Sequence, residues 1–329
     1  MVEKLLFFCA IITLLISPLY PAGSNDTQDH LFLVDGKPLS FSLSRQDTPF
    51  HAYSYEGYVR ETAFDFHRII GEGWEQKLHK FTYLLIKPDA LVTRSVKEIF
   101  AYLFSHEFIP LACEPVNLDR NTWRAMWKYQ LYRMPISRFV LLDQVYPATP
   151  SYLILLEDQV ESSSYQSASN RLKSIKGSAH LNKRTAEDLR SIIGAKIGVL
   201  SYIHTPDESL DMIRETGILL SRQQRLEVAR IIQKGGLPLS YAAIETQIYN
   251  NVPYHSLDIQ EAVKSIENAL ETHNQCADTM RIAALCEAVK NQEVFIVSAE
   301  ELLSIFDRLN LKVGHWDVIT FCAYFSEAN

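Results

Sequence analysis

Apolar positions in the central part of the chain follow two periodicities, and these predict its secondary structure. Continuous apolar runs bounded by turn residues are typical of buried strands, and apolar residues three and four apart are typical of amphipathic helices. The first pattern predicts strands at residues 81–86, 109–116, 152–156 and 199–203. The second predicts helices at residues 96–106, 119–129, 169–175, 185–193 and 206–219.

The order of these elements restricts the fold class. Between residues 81 and 221 the strands and helices follow one another as β-α-β-α-β-α-α-β-α. Without the additional helices, this order allows a split βαβ arrangement, with helices on one face of the sheet. We therefore predict an α+β domain with a ferredoxin-like antiparallel sheet for residues 81–221.

The first residues have the pattern of a targeting segment. Lys4 precedes an apolar stretch from Leu5 to Leu19, and small residues that suit a cleavage site follow it. This pattern predicts a signal peptide over residues 1–23, and therefore a protein that is secreted, periplasmic or held in the secretory-pathway lumen. An uncleaved membrane anchor is the alternative, although a membrane span needs about 20 apolar residues.

Two further segments flank the predicted domain. Residues 24–80 form an N-terminal extension, in which Asp35-Gly36 between apolar runs predicts a hairpin and residues 58–79 have partly helical spacing. Residues 222–329 predict a mostly helical C-terminal domain. Its helix signals are the glycine stop at Gly235-Gly236, a start at Ser256 or Asp258, and a capping-box spacing over Ser298–Glu301.

Charge and cysteine content narrow the function classes. The net charge is -7 and no run of lysine or arginine occurs, so the sequence lacks the charge pattern of a nucleic-acid-binding protein. No cysteine or histidine spacing predicts a metal site. The cysteines beyond the predicted signal peptide fit either disulfides of an exported chain or buried thiols, and they are Cys113, Cys276, Cys286 and Cys322.

Two local motifs carry candidate chemistry. Lys87-Pro88-Asp89 ends the first predicted strand, and alone it is equally typical of a turn with an exposed lysine. His204 precedes a predicted helix, with Thr205 and Glu208 at capping-box spacing. Backbone N–H groups at a helix N-terminus favour anions such as phosphate, so His204 is a candidate phosphate-site residue. Locally, it also fits an ordinary histidine beside a helix cap.

These motifs together resemble those of a known family. Lys87-Pro88-Asp89-Ala90 stands where nucleoside diphosphate kinases have Lys-Pro-Asp-Gly after their first strand. Ser201-Tyr202-Ile203-His204-Thr205-Pro206-Asp207 stands where they have Asn-x-x-His-Gly-Ser-Asp before their last helix. Residues 81–221 therefore resemble a nucleoside diphosphate kinase domain, and the resemblance implies the fold and the activity of that family.

The resemblance also implies roles for individual residues. His204 matches the histidine that carries the phosphate, and Glu215 matches the glutamate that supports it. Trp127 stands in place of an active-site tyrosine, and Ser201 in place of an asparagine that orients the ribose. The residues implied to bind substrate are Lys87, Trp127, Lys173, Arg190 and Ser201.

The implied reaction is a ping-pong phosphoryl transfer. His204 attacks the γ-phosphate of a nucleoside triphosphate such as ATP, and the resulting phosphohistidine passes its phosphate to a nucleoside diphosphate. Arg190 and Lys173 neutralise the charge that develops on the phosphoryl group. Mg²⁺ is expected to arrive with the nucleotide. Because family members form hexamers or tetramers, a homo-oligomer is also implied.

Departures from the family pattern support a second hypothesis. Ala90 replaces a glycine, Ser201 an asparagine, and Pro206 a serine that links the histidine to the glutamate. The alternative is a catalytically inactive module of the same fold, whose region 222–329 binds a protein partner. Phosphoryl transfer to a partner protein is a third possibility.

Overall fold

The computed structural model describes residues 33–34, 37–38, 43, 53, 55–160, 167–250, 252–293 and 295–326. The predicted signal peptide, its alternative as a membrane anchor and the turn of the predicted hairpin lie outside these residues. Of the helices within them, none combines the length and the apolar character that crossing a membrane requires.

The described part of the N-terminal extension contains a short hairpin pairing and two helices. Strand β1 (Leu33–Val34) pairs antiparallel with β2 (Lys37–Pro38) across the predicted turn, although β2 lies before the apolar run at residues 39–43 that was expected to form the second strand. Helix α1 (Gly57–Ile70) is separated from α2 (Trp74–Leu78) by glycines with positive φ angles. The predicted helical spacing over residues 58–79 therefore corresponds to a broken pair of helices.

A four-stranded antiparallel sheet forms the centre of the protein. Its order, β4-β5-β3-β6, is that of the ferredoxin-like split βαβ fold, so the predicted fold class is confirmed. The fourth strand is shorter than the predicted 199–203, because Tyr202 has a φ of 64° and interrupts the extended backbone. The strands are β3 (Phe81–Ile86), β4 (Phe108–Val116), β5 (Ser151–Asp158) and β6 (Ile203–His204).

Helices cover both faces of the sheet, so the expectation of helices on one face was wrong. Every residue of β3 is buried, although successive side chains point to opposite faces. The Thr82 hydroxyl accepts a hydrogen bond from Ser169 on one face, and the Tyr83 hydroxyl reaches Glu215 on the other. The central strand is therefore enclosed between two helical layers.

In the described part of the predicted domain, residues 81–160 and 167–221, seven α-helices connect or cover these strands. Helices α3 and α6 were not predicted, and α9 starts later than expected. Glu208, not Thr205, is its N-cap and forms a reciprocal capping box with Asp211. The helices are α3 (Pro88–Val92), α4 (Val96–Ser105), α5 (Arg120–Met126), α6 (Ile136–Val145), α7 (Ala168–Lys176), α8 (Leu189–Ile192) and α9 (Ser209–Leu219).

The described residues after position 221 are mostly helical. Gly235 ends the first helix with a φ of 80°, as the glycine signal predicted. Ser298 is an N-cap whose side chain makes no capping hydrogen bond, so the capping box predicted there was wrong. The helices are α10 (Arg222–Lys234), α11 (Tyr241–Tyr249), α12 (Ile259–Leu270), α13 (Ala277–Lys290), α14 (Ala299–Leu309) and α15 (His315–Ser326).

These C-terminal helices pack directly on the sheet domain. Helix α10 lies against α1 and β4, and helices α14 and α15 lie against α6. The N–H of Leu239 donates to the Pro110 carbonyl on edge strand β4, at 2.7 Å. The four cysteines beyond the predicted signal peptide are free thiols, of which Cys286 and Cys322 are buried and Cys276 is exposed.

A buried ion pair ties the N-terminal extension to helix α9. Arg214 donates from Nε to the Glu56 carboxylate at 2.6 Å, and both side chains are more than nine-tenths buried. The same guanidinium donates to the carbonyls of Ala125 and Met126 at the end of α5. Close approach of α1 and α9 depends on Gly217, where a Cβ would lie 2.6 Å from the Tyr58 carbonyl oxygen.

We expect Arg214→Ala to lower the free energy of unfolding by about 2–4 kcal/mol, because it leaves the buried Glu56 carboxylate with only the exposed Lys128 ammonium as a cation, at 3.2 Å. Urea denaturation followed by circular dichroism measures the change. The matched control is Arg230→Ala, which removes an exposed pair with Glu227 and should change stability by less than about 0.5 kcal/mol. Equal effects of the two substitutions would contradict this account of α9.

Candidate active site

Pairing of β3 with β6 brings the two predicted motifs together. Leu85 lies opposite His204 and Ile86 opposite Ile203, and the Lys87 N–H donates to the Tyr202 carbonyl at 2.9 Å. Lys87 therefore leaves the end of β3 beside the strand that carries His204. Both side chains line one cleft.

His204 is oriented by Glu215 of helix α9. Its Nε2 lies 3.0 Å from Glu215 Oε2, and the side chain is 16% exposed. A neutral imidazole that donates from Nε2 to this carboxylate keeps its lone pair on Nδ1. Among the described residues, Nδ1 has no hydrogen-bond partner. The arrangement therefore presents a nucleophilic nitrogen at the wall of the cleft.

The cleft at His204 has a volume of about 150 Å³ and is lined by cations and aromatic rings. No carboxylate belongs to its lining within the described part of the chain. Such a charge distribution favours an anion. The lining residues used below are Lys87, Trp127, Arg138, Tyr146, Arg190, Ser201 and His204.

Lys87 is fully buried beside the cleft. Its Nζ donates to Ser201 Oγ at 2.9 Å and lies 3.5 Å from Asp89 Oδ2. Burial lowers the pKa of Lys87 to about 8, Asp89 opposes this effect, and the positive charge of Arg190 adds to it. Asp89 also accepts from the N–H of Tyr202, at 2.9 Å, so it connects Lys87 to the loop before β6.

Arg190 holds the backbone around the cleft. Its guanidinium donates to the carbonyls of Ser201 at 3.0 Å, Gly177 at 2.7 Å and Ile203 at 2.6 Å. A guanidinium has five N–H groups, so two remain for other acceptors. Burial lowers the pKa of Arg190 to about 10, which leaves it charged at neutral pH. Arg190 therefore positions the segment that carries His204 and supplies positive charge to the cleft.

Two aromatic side chains line the cleft beside His204 and Lys87. The Trp127 ring stacks on Tyr146 with centroids 5.2 Å apart, and its edge packs against His204 at 5.3 Å. The Lys87 ammonium lies 5.6 Å from the centre of the Tyr146 ring. Trp127 is thus placed at the site, as a ring that packs against His204.

Lys173 does not line the cleft, in contrast to the other substrate-binding residues predicted from the sequence. It is 44% exposed and pairs with Asp207 at 2.8 Å. One turn further along α7, Lys176 is buried, and its Nζ donates to the Thr205 carbonyl at 3.5 Å. Burial lowers the pKa of Lys176 to about 8. Lys176 therefore supports the loop after His204. The sequence had instead implied a substrate-binding role for Lys173, on the same helix.

Arg138 and Tyr146 were also missed by sequence reasoning. Arg138 belongs to α6 and Tyr146 is the C-cap of the same helix. Residues 136–145 have a mixed pattern of apolar and polar positions, and α6 was not predicted. Prediction of that helix would have identified Arg138 and Tyr146 as candidate residues of the cleft at His204.

The cleft does not provide a protein site for Mg²⁺. Mg²⁺ prefers oxygen ligands and is usually held by carboxylates together with substrate phosphates. The cleft lining offers cations and no carboxylate, and the described residues contain no cluster of potential metal ligands.

Structural comparison finds nucleoside diphosphate kinases. The enzyme of Aquifex aeolicus is 18% identical, with 44% of this chain and 96% of that chain covered and a TM-score of 0.35. The enzyme of Encephalitozoon cuniculi is 17% identical, with 52% and 99% covered and a TM-score of 0.36. That of Halobacterium salinarum, a complex with CDP, is 14% identical, with 43% and 91% covered and a TM-score of 0.33.

No protein-family model matches the chain, and no curated protein matches it. The structural likeness covers about half of the chain, and its identities and TM-scores are low. The function is therefore argued from the cleft and from the motifs at Lys87 and His204.

We expect the affinity of the cleft for sulfate, whose charge is constant over this range, to fall as the pH rises from 7 to 9. With a pKa of about 8, Lys87 is about 90% charged at pH 7 and about 10% at pH 9. The indole N–H signal of Trp127, assigned with Trp127→Phe, reports binding in an NMR titration.

The control for this titration is Lys87→Met, which should bind sulfate weakly and with a much smaller dependence on pH. An affinity of the unmodified protein that stays constant from pH 7 to 9 would show that Lys87 does not supply the charge.

Proposed function

We propose that this protein is a phosphotransferase of the nucleoside diphosphate kinase type. It moves the γ-phosphate of a nucleoside triphosphate to a nucleoside diphosphate through a phosphohistidine on His204. The observation that carries the proposal is the hydrogen bond between His204 Nε2 and Glu215, which leaves Nδ1 at a cleft lined by Lys87 and Arg190.

In the first half-reaction, His204 Nδ1 attacks the terminal phosphorus of the nucleoside triphosphate. The nitrogen–phosphorus bond forms, the bridging P–O bond breaks, and the nucleoside diphosphate leaves with the bond electrons. Glu215 keeps the Nε2–H tautomer and stabilises the positive charge that the ring acquires. The second half-reaction reverses these steps on a different nucleoside diphosphate.

Positive charge around the cleft stabilises the transferring group. A loose phosphoryl-transfer transition state spreads negative charge over the equatorial oxygens, so catalysis consists mainly of positioning and electrostatic stabilisation. Lys87, Arg138 and the two N–H groups of Arg190 that are not used by backbone carbonyls suit this role. Because these cations are buried or partly buried, their charges act at lower effective dielectric than in water.

The test is incubation of the purified protein with ATP labelled at the γ-phosphate. We expect an acid-labile, base-stable label on the protein that disappears in His204→Ala and leaves when a nucleoside diphosphate is added. Glu215→Gln should slow labelling by about 10²-fold, because it removes the charge that stabilises the imidazolium.

The matched control is His180→Ala, which removes an exposed histidine outside the cleft and should label at the unmodified rate. Labelling that persists in His204→Ala, or ATP binding without any label in the unmodified protein, would overturn the proposal. Release of label to a partner protein and not to a nucleoside diphosphate would support protein phosphotransfer.

One observation favours the alternative, an inactive module that binds a protein partner. Three N–H groups of Arg190 are used by backbone carbonyls, and Trp127 and Tyr146 pack on one another within a cleft of about 150 Å³. Ligand clefts for larger small molecules usually measure about 300–1,000 Å³. Absence of both label and nucleotide binding in the experiment above would support this alternative.

A further inference from the structure

A buried hydroxyl lies on the far side of the Glu215 carboxylate from the cleft. Tyr83, in the middle of central strand β3, is fully buried. Its hydroxyl donates to Glu215 Oε2, the same oxygen that lies 3.0 Å from His204 Nε2. Among the described residues, Glu215 is the hydrogen-bond partner of this hydroxyl. The three side chains therefore form a continuous chain from β3 through α9 to β6.

Burial keeps the Tyr83 hydroxyl protonated, so that it acts as a hydrogen-bond donor. Desolvation, and then the negative charge of Glu215, raise the pKa of Tyr83 well above its ordinary value. The phenol is therefore neutral at neutral pH and well above it, and it serves as a hydrogen-bond donor to Glu215. A neutral donor stabilises a carboxylate in its charged form.

Glu215 needs such a donor because a second carboxyl group lies one helical turn away. Asp211 is partly buried beside it, and desolvation together with the charge of Glu215 raises the pKa of Asp211 to about 7. The charged and titratable groups that face Glu215 come from five parts of the fold, namely the N-terminal extension, β3, α7, β6 and α9 itself. They are Tyr53, Tyr83, Lys176, His204, Asp211 and Arg214.

From this geometry we infer that Tyr83 is a positioning residue for the proposed phosphoryl transfer, which holds Glu215 ionised and oriented so that His204 keeps its nucleophilic tautomer. Tyr83 is not among the residues that line the cleft. Its ring lies near the His204 ring, with centroids 6.4 Å apart, and its hydroxyl acts on the imidazole through Glu215. The inference rests on the proposed function for its catalytic consequence. The effect on His204 itself is independent of activity.

The test variant is Tyr83→Phe, which removes the hydroxyl and keeps the ring. Without its donor, the Glu215 carboxylate keeps more of its negative charge and attracts an imidazolium more strongly, which raises the pH at which His204 becomes neutral. We expect that pH to rise by about one unit. The Nε2–H tautomer, dominant in the unmodified protein, should become a mixture.

Imidazole NMR titration, with His204→Ala for assignment, measures both quantities without any substrate. The acid limb of the labelling rate should move in the same direction and by the same amount. The matched control is Tyr152→Phe, which removes a hydroxyl that donates to the Gln247 carbonyl, away from the cleft, and should leave His204 unchanged.

Two further variants separate positioning from a general effect on the fold. In a Glu215→Gln background, Tyr83→Phe should cause no additional shift, because the two residues act as one unit. Tyr83→3,5-difluorotyrosine keeps the shape, makes the phenol a stronger donor, and should shift His204 to lower pH. A thermal melt shows whether Tyr83→Phe folds poorly. If it does, the difluorotyrosine variant still tests whether the Tyr83 hydroxyl affects His204 through Glu215.

An unchanged His204 titration in both Tyr83 variants would overturn the inference. The labelling experiment and the NMR titration test the proposed function and this inference separately. If the unmodified protein takes no label from ATP, the phosphotransferase proposal fails, whereas the NMR titration still decides whether Tyr83 controls His204 through Glu215.

Discussion

The site depends on a short antiparallel pairing between the end of β3 and the two-residue strand β6. A two-residue strand forms few backbone hydrogen bonds with its neighbour, so it is weakly held by pairing alone. Three hydrogen bonds from the buried guanidinium of Arg190 fix the backbone at Gly177, Ser201 and Ile203. Because the segment is fixed from both sides, Lys87 and His204 meet at one cleft with defined geometry. A change that released β6 would separate the cation from the imidazole without altering either side chain.

The additional segments of the chain support the same region from outside. Glu56 of the N-terminal extension pairs with Arg214 of α9, the helix that presents Glu215. On the other side, α14 and α15 pack against α6, which supplies Arg138 to the cleft. Leu239 donates to edge strand β4, and an edge strand with free backbone groups is otherwise a template for pairing with another chain. The additions thus contact the helices that bear site residues and one edge of the sheet.

The sequence allowed good prediction where a signal is local. The apolar run Phe81–Ile86 and the glycine stop at Gly235 both correspond to observed elements. Prediction from the sequence failed where contacts between residues distant in the chain determine the local backbone conformation. Tyr202 adopts a positive φ because its N–H donates to Asp89 far away in the chain, and this shortens the fourth strand. Likewise, Thr205 is buried and does not cap α9, so the predicted capping box was assigned to the wrong residues.

Lys173 and Lys176 illustrate the same limit at the site. They lie one helical turn apart on α7. The family resemblance implied that Lys173 contacts phosphate, whereas in the structure Lys173 is exposed and Lys176 is the buried lysine. Lys87, Lys176 and Arg190 are buried in the same region, and in each the cost of burying a charge lowers the pKa. Repulsion by a neighbouring cation adds to that cost, from Arg190 on both lysines and from Arg184 on Arg190. Nearby Asp89 and Asp207 offset only part of it. A fold that keeps several cations buried around a cleft without carboxylates is less stable than one with apolar residues there, and an entering anion relieves that repulsion. This electrostatic arrangement is therefore better explained by binding of an anion than by stability.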